Sequence, residues 1–347
     1  MALKVVAYEC FGVVRTFSEF IMLEFFIRRL FQAAVVLFTV AFVAFLLFQF
    51  VGDPVSQMLG IESTQADRER LREALGLNDP FYVQFFHFVA NAASGDFGIS
   101  LRQATPVSEL IADRFPATFE LAMVSVVIAT VLGVTFGVLV AIYRDSFLAR
   151  FLMGFSLVGI SLPTFLIGIL FILVFSVWLG WLPSYGRGEV SSIGWWTTGL
   201  LTADGWAHLI LPALTLSVFQ LALIMRLVRA EMLEVLRSDF IKFARARGLS
   251  ERSVHFKHAL KNTLIPVITI VGLQLGGIIA FSIVTETVFQ WPGLGLLFIQ
   301  AVQFADIPVM TAYLCLIALM FVLINFLVDW LYTVVDPRLK PGLSKKH

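Results

Sequence analysis

The sequence predicts an all-α integral membrane protein. It has six transmembrane helices, both termini in the cytoplasm, and a small helical external segment between spans one and two. Three observations lead there. Of 347 residues, 59% are hydrophobic and only 14% are charged, too little polar surface to cover a soluble core of that size. Six apolar stretches reach or approach the roughly 20 residues a helix needs to cross a bilayer. The Lys and Arg residues divide 19 to 6 between alternate connecting segments, which sets the basic side as cytoplasmic.

The elements follow in order. Residues 1–29 form a cytoplasmic N-terminal extension, and 30–51 the first span. No short apolar run there ends in a small-residue cleavage site, so this span is read as retained. Residues 52–118 are external. Within them "STQADRERLREALGL" reads as a short charged helix, capped by Thr64 with Asp67 three residues on and ended at Gly76. "NDPFYVQFFHFVANAA" restarts a helix behind Asp79 and Pro80. The region has the size of a docking platform facing the exterior, or of a packed cap.

Span two is 119–142 and span three 151–179, where Pro163 is tolerated because neighbouring helices or water can satisfy the freed carbonyl. An external loop, 180–208, leads to the shortest span, 209–227. A cytoplasmic loop, 228–263, precedes span five, 264–289. Span six is 307–335 and the tail 336–347 is cytoplasmic. Six of the seven tryptophans fall on the outer side, several where an aromatic belt would sit. Cys10 and Cys315 lie before the first span and within the last, so no disulfide is expected. The small-residue patterns Gly133–Gly137 and Gly272–Gly277 allow close helix contact, between subunits or along a pore.

The cytoplasmic loop is the most informative stretch. Leu233, Leu236, Phe240, Phe243 and Ala244 recur at helical spacing, Gly248 follows as a terminator, and Ser250 stands ready to cap a second helix. Two helices bent at a glycine and rich in Arg suit docking into a groove on another protein. Anchoring by positive charge alone would explain the charge but not the length or the pattern. His255 and His258 share a face without a third ligand, so a solvated face is favoured over a metal site. No Gly-x-x-x-x-Gly-Lys-[Ser/Thr] occurs, so the chain lacks a P-loop.

"ARARGLS" and "HALKNTLIP" resemble the cytoplasmic coupling loop of bacterial ABC-importer permeases in the dipeptide/oligopeptide/nickel branch. "RRL", "GDPV", "GLNDPFYVQFFHF", "GDFGISL", "PVSELIADRFPATFELA", "ETVFQWPGLG" and "NFLVDWLYTVVDPR" agree in order, from about Met22 to Arg338. The pattern is similar to the first, B-type, of the two permeases. Lys242-Phe243-Ala244 stands where the general motif has Glu-Ala-Ala, and residues 1–21 lie outside the resemblance.

The resemblance implies a subunit of the bacterial inner membrane that imports short peptides, or a nickel chelate, glutathione or an oligosaccharide. It implies as partners a second homologous permease, two ABC ATPase subunits that bind ATP and Mg, and an extracytoplasmic binding protein. No cofactor, metal, catalytic residue or nucleic acid is expected for this chain. The coupling contact is assigned to Asp239, Phe240, Ala244, Arg245, Ala246, Arg247, Gly248, Leu249 and Ser250. Glu286 and Asp329 are helix-end carboxylates, either on the pathway or holding local structure. A secondary transporter would show internal repeats, and none is found. An intramembrane enzyme would need converging catalytic groups, and all five histidines lie outside the spans or at their ends.

Overall fold

The computed structural model describes residues 27–50, 64–74 and 78–335, the last seven of these as backbone only. The "GDPV" motif, the helix end expected at Gly76, Cys10, most of the N-terminal extension and the tail 336–347 lie outside these residues. Five described helices are long and apolar enough to cross a membrane, or six if one bent pair counts as a span.

Helix α1, Ile27–Phe50, presents most of its surface outward. Its ordered contact is aromatic. Phe38, Phe42 and Phe45 meet Phe81, Phe85 and Phe88 edge-on or tilted, Phe45 lying 5.1 Å from Phe81. Helix α2, Gln65–Ala74, begins with a reciprocal cap, because the Asp67 amide donates to Thr64 Oγ1 and the Thr64 amide donates to Asp67 Oδ2. Helix α3, Phe81–Ser94, starts directly behind Pro80 and stops at the left-handed Gly95.

The core is built on α4, Val107–Ile142, and α7, Ala203–Arg237. Both outrun the apolar stretches that announce them, because hydropathy marks the part in lipid while backbone hydrogen bonding continues into the interface. They run side by side at glycine distance. A Cβ on Gly133 would sit 2.8 Å from Ile224, and one on Gly137 2.6 Å from Val228. Gly272 and Gly276 likewise face Val328 and Phe321 of α11. Gly133, Gly137, Gly272 and Gly276 therefore pack helices inside the chain, while Gly277 meets only Gln274 of its own helix.

The third apolar stretch is not one continuous helix. It divides into α5, Phe147–Ser161, and α6, Thr164–Phe171 continued by the π-helical Ile172–Trp178, with a bend of 115° between them. Pro163 supplies no N–H, and its ring disfavours a helical residue before it, so α5 cannot continue. The loop that follows holds a two-stranded antiparallel hairpin, β1 Ser191–Ile193 and β2 Trp196–Thr198, a small departure from an all-helical chain.

After α7 come α8, Asp239–Ala246, and the long α9. Helix α9 is assembled from Glu251–Ser253, the π-helical Val254–Ala259 and Leu260–Val288. Helices α10, Leu294–Gln303, and α11, Ile307–Val335, complete the fold. At the end of the bundle that carries the 228–263 loop, called inner after the orientation expected from charge, one apolar cluster joins α4, α7, α8 and α9 through Ala141, Val228, Met232, Ile241, Ala244, Val254 and Ala259. At the outer end a second cluster joins α4, α7 and α9 around Leu121, Leu209, Ile279 and Trp291.

Candidate functional site

The inner site is a helix, a left-handed glycine and a second helix. Ser238 precedes α8, and the Ile241 amide donates to its carbonyl at 3.1 Å. Asp239 opens the helix and accepts from Lys242 Nζ at 2.8 Å. Ile241 and Ala244, one turn apart, are buried in the inner cluster, and they moor α8 beneath α4, α7 and α9. The opposite face stays outside. Phe240, Phe243, Leu249 and Phe256 are all exposed, Phe243 to 65%.

Gly248 has φ +76 and ends α8, while an added Cβ would meet nothing within 4 Å. The backbone sign, not crowding, calls for glycine here. Ser250 then caps α9, its Oγ accepting from the Ser253 amide at 3.4 Å. Arg245 reaches across the bend and makes two hydrogen bonds to the Glu251 carboxylate, at 2.9 and 3.1 Å. That contact holds the Glu251 carboxyl below the usual carboxylate range. Arg247 lies over the Phe243 ring at 5.9 Å. Ala246 and Leu249 are exposed beside them. Eight of the nine residues assigned from sequence are thus exposed on this stretch, with aromatic knobs standing among cations, while the ninth, Ala244, is buried in the inner cluster.

His255 Nε2 lies 3.3 Å from Glu251, and the His258 ring packs edge-on to Phe240. Among the described residues no cluster of His, Cys, Asp or Glu could hold a metal ion.

Glu286 lies at the outer end and is fully buried. Thr118 Oγ1 donates to it at 2.7 Å and Ser282 Oγ at 3.1 Å. The amides of Gly295 and Leu296 donate to its other oxygen at 2.7 and 3.0 Å. Those amides are orphan donors of the first turn of α10, so the carboxylate caps that helix from a neighbouring one. Trp291 Nε1 donates to the Ala117 carbonyl at 2.9 Å. Glycine is required at 293 because a Cβ would run into the Glu286 carboxylate, and at 295 because one would run into the Ile283 backbone at 2.6 Å. Asp329 sits in α11, and its side chain lies outside the described set.

Two outer ties were not anticipated. Arg187 and Glu120 form a buried pair at 2.7 Å. Arg187 also donates to Thr197 of the hairpin, and Trp196 Nε1 donates to Glu120 at 3.4 Å. Asp306 accepts from Ser100 Oγ and from the amides of Leu101 and Arg102, closing the "GDFGISL" loop onto the α10–α11 turn. A carboxylate one residue inside an apolar stretch, Glu120, was the available signal for the first. No sequence pattern pairs Asp306 with a loop some two hundred residues earlier.

Comparison with known proteins gives concordant results. Residues 133–341 match the family described as "Binding-protein-dependent transport system inner membrane component", and residues 22–122 match its N-terminal counterpart. The chain is 41% identical over 320 residues to the glutathione transport system permease protein GsiC of Escherichia coli strain K12. The match covers 92% of this chain and 99% of that protein. GsiC of Shigella dysenteriae serotype 1 matches to the same extent. Two solved structures of inward-facing conformations of the MetNI methionine ABC transporter share the fold. Their TM-scores are 0.51 and 0.53 at 22% and 21% identity, and they cover 63% and 65% of this chain and 93% and 96% of theirs.

Proposed function

The chain belongs to the binding-protein-dependent transport inner membrane family, as a permease subunit of a bacterial ABC importer, and from that premise we propose that it forms half of a pathway for short peptides. In this reading α8 and the Gly248 bend dock into a cleft on an ATPase subunit. A second homologous permease completes the pathway, two ATPases bind ATP and Mg, and an extracytoplasmic binding protein delivers the solute. The chain itself carries out no hydrolysis. Closure of the ATPase pair displaces α8, and the inner apolar cluster carries that displacement into α4, α7 and α9 as a rigid-body motion.

The observation that supports this reading best is the division of α8 into two faces. Ile241 and Ala244 are committed to the permease, while Phe240, Phe243 and Leu249 remain uncovered among Lys242, Arg245 and Arg247. Exposed aromatic anchors beside arginine are typical of interface hot spots.

Glutathione is a second substrate reading, favoured by the 41% identity to permeases of that name. It is itself a short peptide with a γ linkage, so the two readings differ in the binding protein rather than in the pathway chemistry.

The test is recovery of the tagged chain from its native membrane in mild detergent, as wild type and as Gly248→Trp. The strained backbone of the variant costs about 1–3 kcal/mol locally and places an indole in the docking surface. Wild type is expected to bring a second permease and P-loop ATPases, and the variant to lose the ATPases. A chain recovered alone that moves solute in liposomes without ATP would overturn the proposal.

A further inference from the structure

The bend between α5 and α6 lies at hydrocarbon depth. Gly159, near the end of α5, sits against Val218, where an added Cβ would come 2.9 Å from Cγ1. Val218 is the centre of the apolar stretch 209–227. Here the chain turns by 115° through Leu162 and Pro163, and its hydrogen bonding can be followed group by group. The Leu162 amide donates to Val158 at 3.0 Å, and the amides of Leu166 and Ile167 donate to Pro163 at 3.0 and 3.2 Å.

The carbonyl of Gly159 loses its usual donor, because Pro163 has no N–H. Among the described residues nothing donates to the carbonyls of Gly159, Ile160, Ser161 or Leu162. The amides of Thr164 and Phe165 likewise find no acceptor. Ser161 and Pro163 are exposed on the surface of the chain.

Lipid cannot cover such a surface. Unsatisfied backbone groups in hydrocarbon cost several kcal/mol each, so irregular backbone at this depth is buried in protein or borders water. Among the described residues Gly159 is packed on Val218, but Ile160, Leu162 and Thr164 are only half-buried and Ser161 and Pro163 stay exposed. Acceptors outnumber free amides at the bend, and the carboxyl end of α5 adds its partial negative charge. We infer that the α5–α6 break lines the water-filled pathway, and that its open carbonyls accept hydrogen bonds from ammonium or amide N–H groups of the solute in transit. The inference rests on the permease reading above. It adds where solute touches the wall and which chemistry that wall favours: peptide-like solutes carry such donors, whereas a solute that is purely anionic does not.

The test is cysteine labelling in membrane vesicles holding the assembled transporter. The background is Cys10→Ser with Cys315→Ser, and the probes are Ser161→Cys and, as a second position, Thr164→Cys. Phe155→Cys, on an exposed part of α5, is the lipid-facing control. Water-soluble methanethiosulfonates are expected to modify either probe at least about tenfold faster than the control, since charged reagents do not enter hydrocarbon. The trimethylammonium reagent should outrun the sulfonate, relative to a free thiol, by about threefold in the field of the open carbonyls.

Labelling by a lipid-soluble maleimide alone would overturn the inference, as would labelling by neither reagent, which would place a partner subunit over the break. Preference for the sulfonate would overturn the assigned chemistry. ATP-driven uptake of radiolabelled dialanine by the same vesicles tests the underlying reading separately, because the labelling pattern requires no knowledge of the solute.

Discussion

At its outer end the α4–α7–α9 core is tied by buried charged side chains, whereas at its inner end the same helices hold the loop through apolar packing and leave its charges in water. At the outer end Glu120, Arg187, Glu286 and Asp306 are all buried, and each has a hydrogen-bonded partner on a distant segment. Inside, Ile241 and Ala244 are buried while Lys242, Arg245 and Arg247 are exposed. A buried, hydrogen-bonded carboxylate fixes one geometry, because any shift strands a charge. Apolar packing under an exposed charged face leaves that face free for a partner. The outer end is therefore built to keep its shape, and the inner end to be held by something else.

The sharpest break of that contrast is Glu120→Ala. It leaves Arg187 buried without its counter-charge, and a loss of about 3–5 kcal/mol is expected, read as a lowered unfolding temperature in detergent. Replacing both partners, as Glu120→Leu with Arg187→Met, should recover most of the loss. If the single variant unfolds like wild type, the outer tie is not structural.

Glu286→Ala ranks next. Stranding the Gly295 and Leu296 amides should cost about 2–3 kcal/mol, and the same thermal measurement checks it. A local signature is also expected, namely faster amide exchange in the first turn of α10 with α8 unchanged.

The smallest effect belongs to the inner end. The Glu251 carboxyl lies below the usual carboxylate range because Arg245 hydrogen-bonds it. Its contribution is therefore present above the unfolded carboxylate pKa and lost as pH falls through the lower folded value. A spin label at Lys257→Cys should gain mobility only under that acidification, and Glu251→Gln should produce the same mobility at neutral pH. A label in the outer hairpin should not respond to the Gln variant.

Much of this was legible in the chain. Apolar length located the long helices, and the left-handed stop at Gly248 and the cap at Ser250 follow from residue type at a given position. The 115° bend was not read, because Pro163 sits inside an unbroken apolar stretch and hydropathy is blind to direction. The glycine rows were visible as rows, yet which neighbour they face depends on tertiary placement. Glu286 stood out as a carboxylate at a span end, but the two amides it caps come from the next helix. Long-range pairs such as Asp306 with Ser100 leave no local periodicity at all.

The coupling surface at the inner end is tested most directly by Phe243→Asp, which alters an exposed ring and touches none of the buried mooring residues. A surface change of this kind moves stability by no more than about 0.5 kcal/mol. The account predicts wild-type abundance and unfolding temperature, with the ATP-hydrolysing subunits lost on purification and ATP-driven uptake abolished. Retention of those subunits in the wild-type ratio, with uptake unchanged, would contradict it.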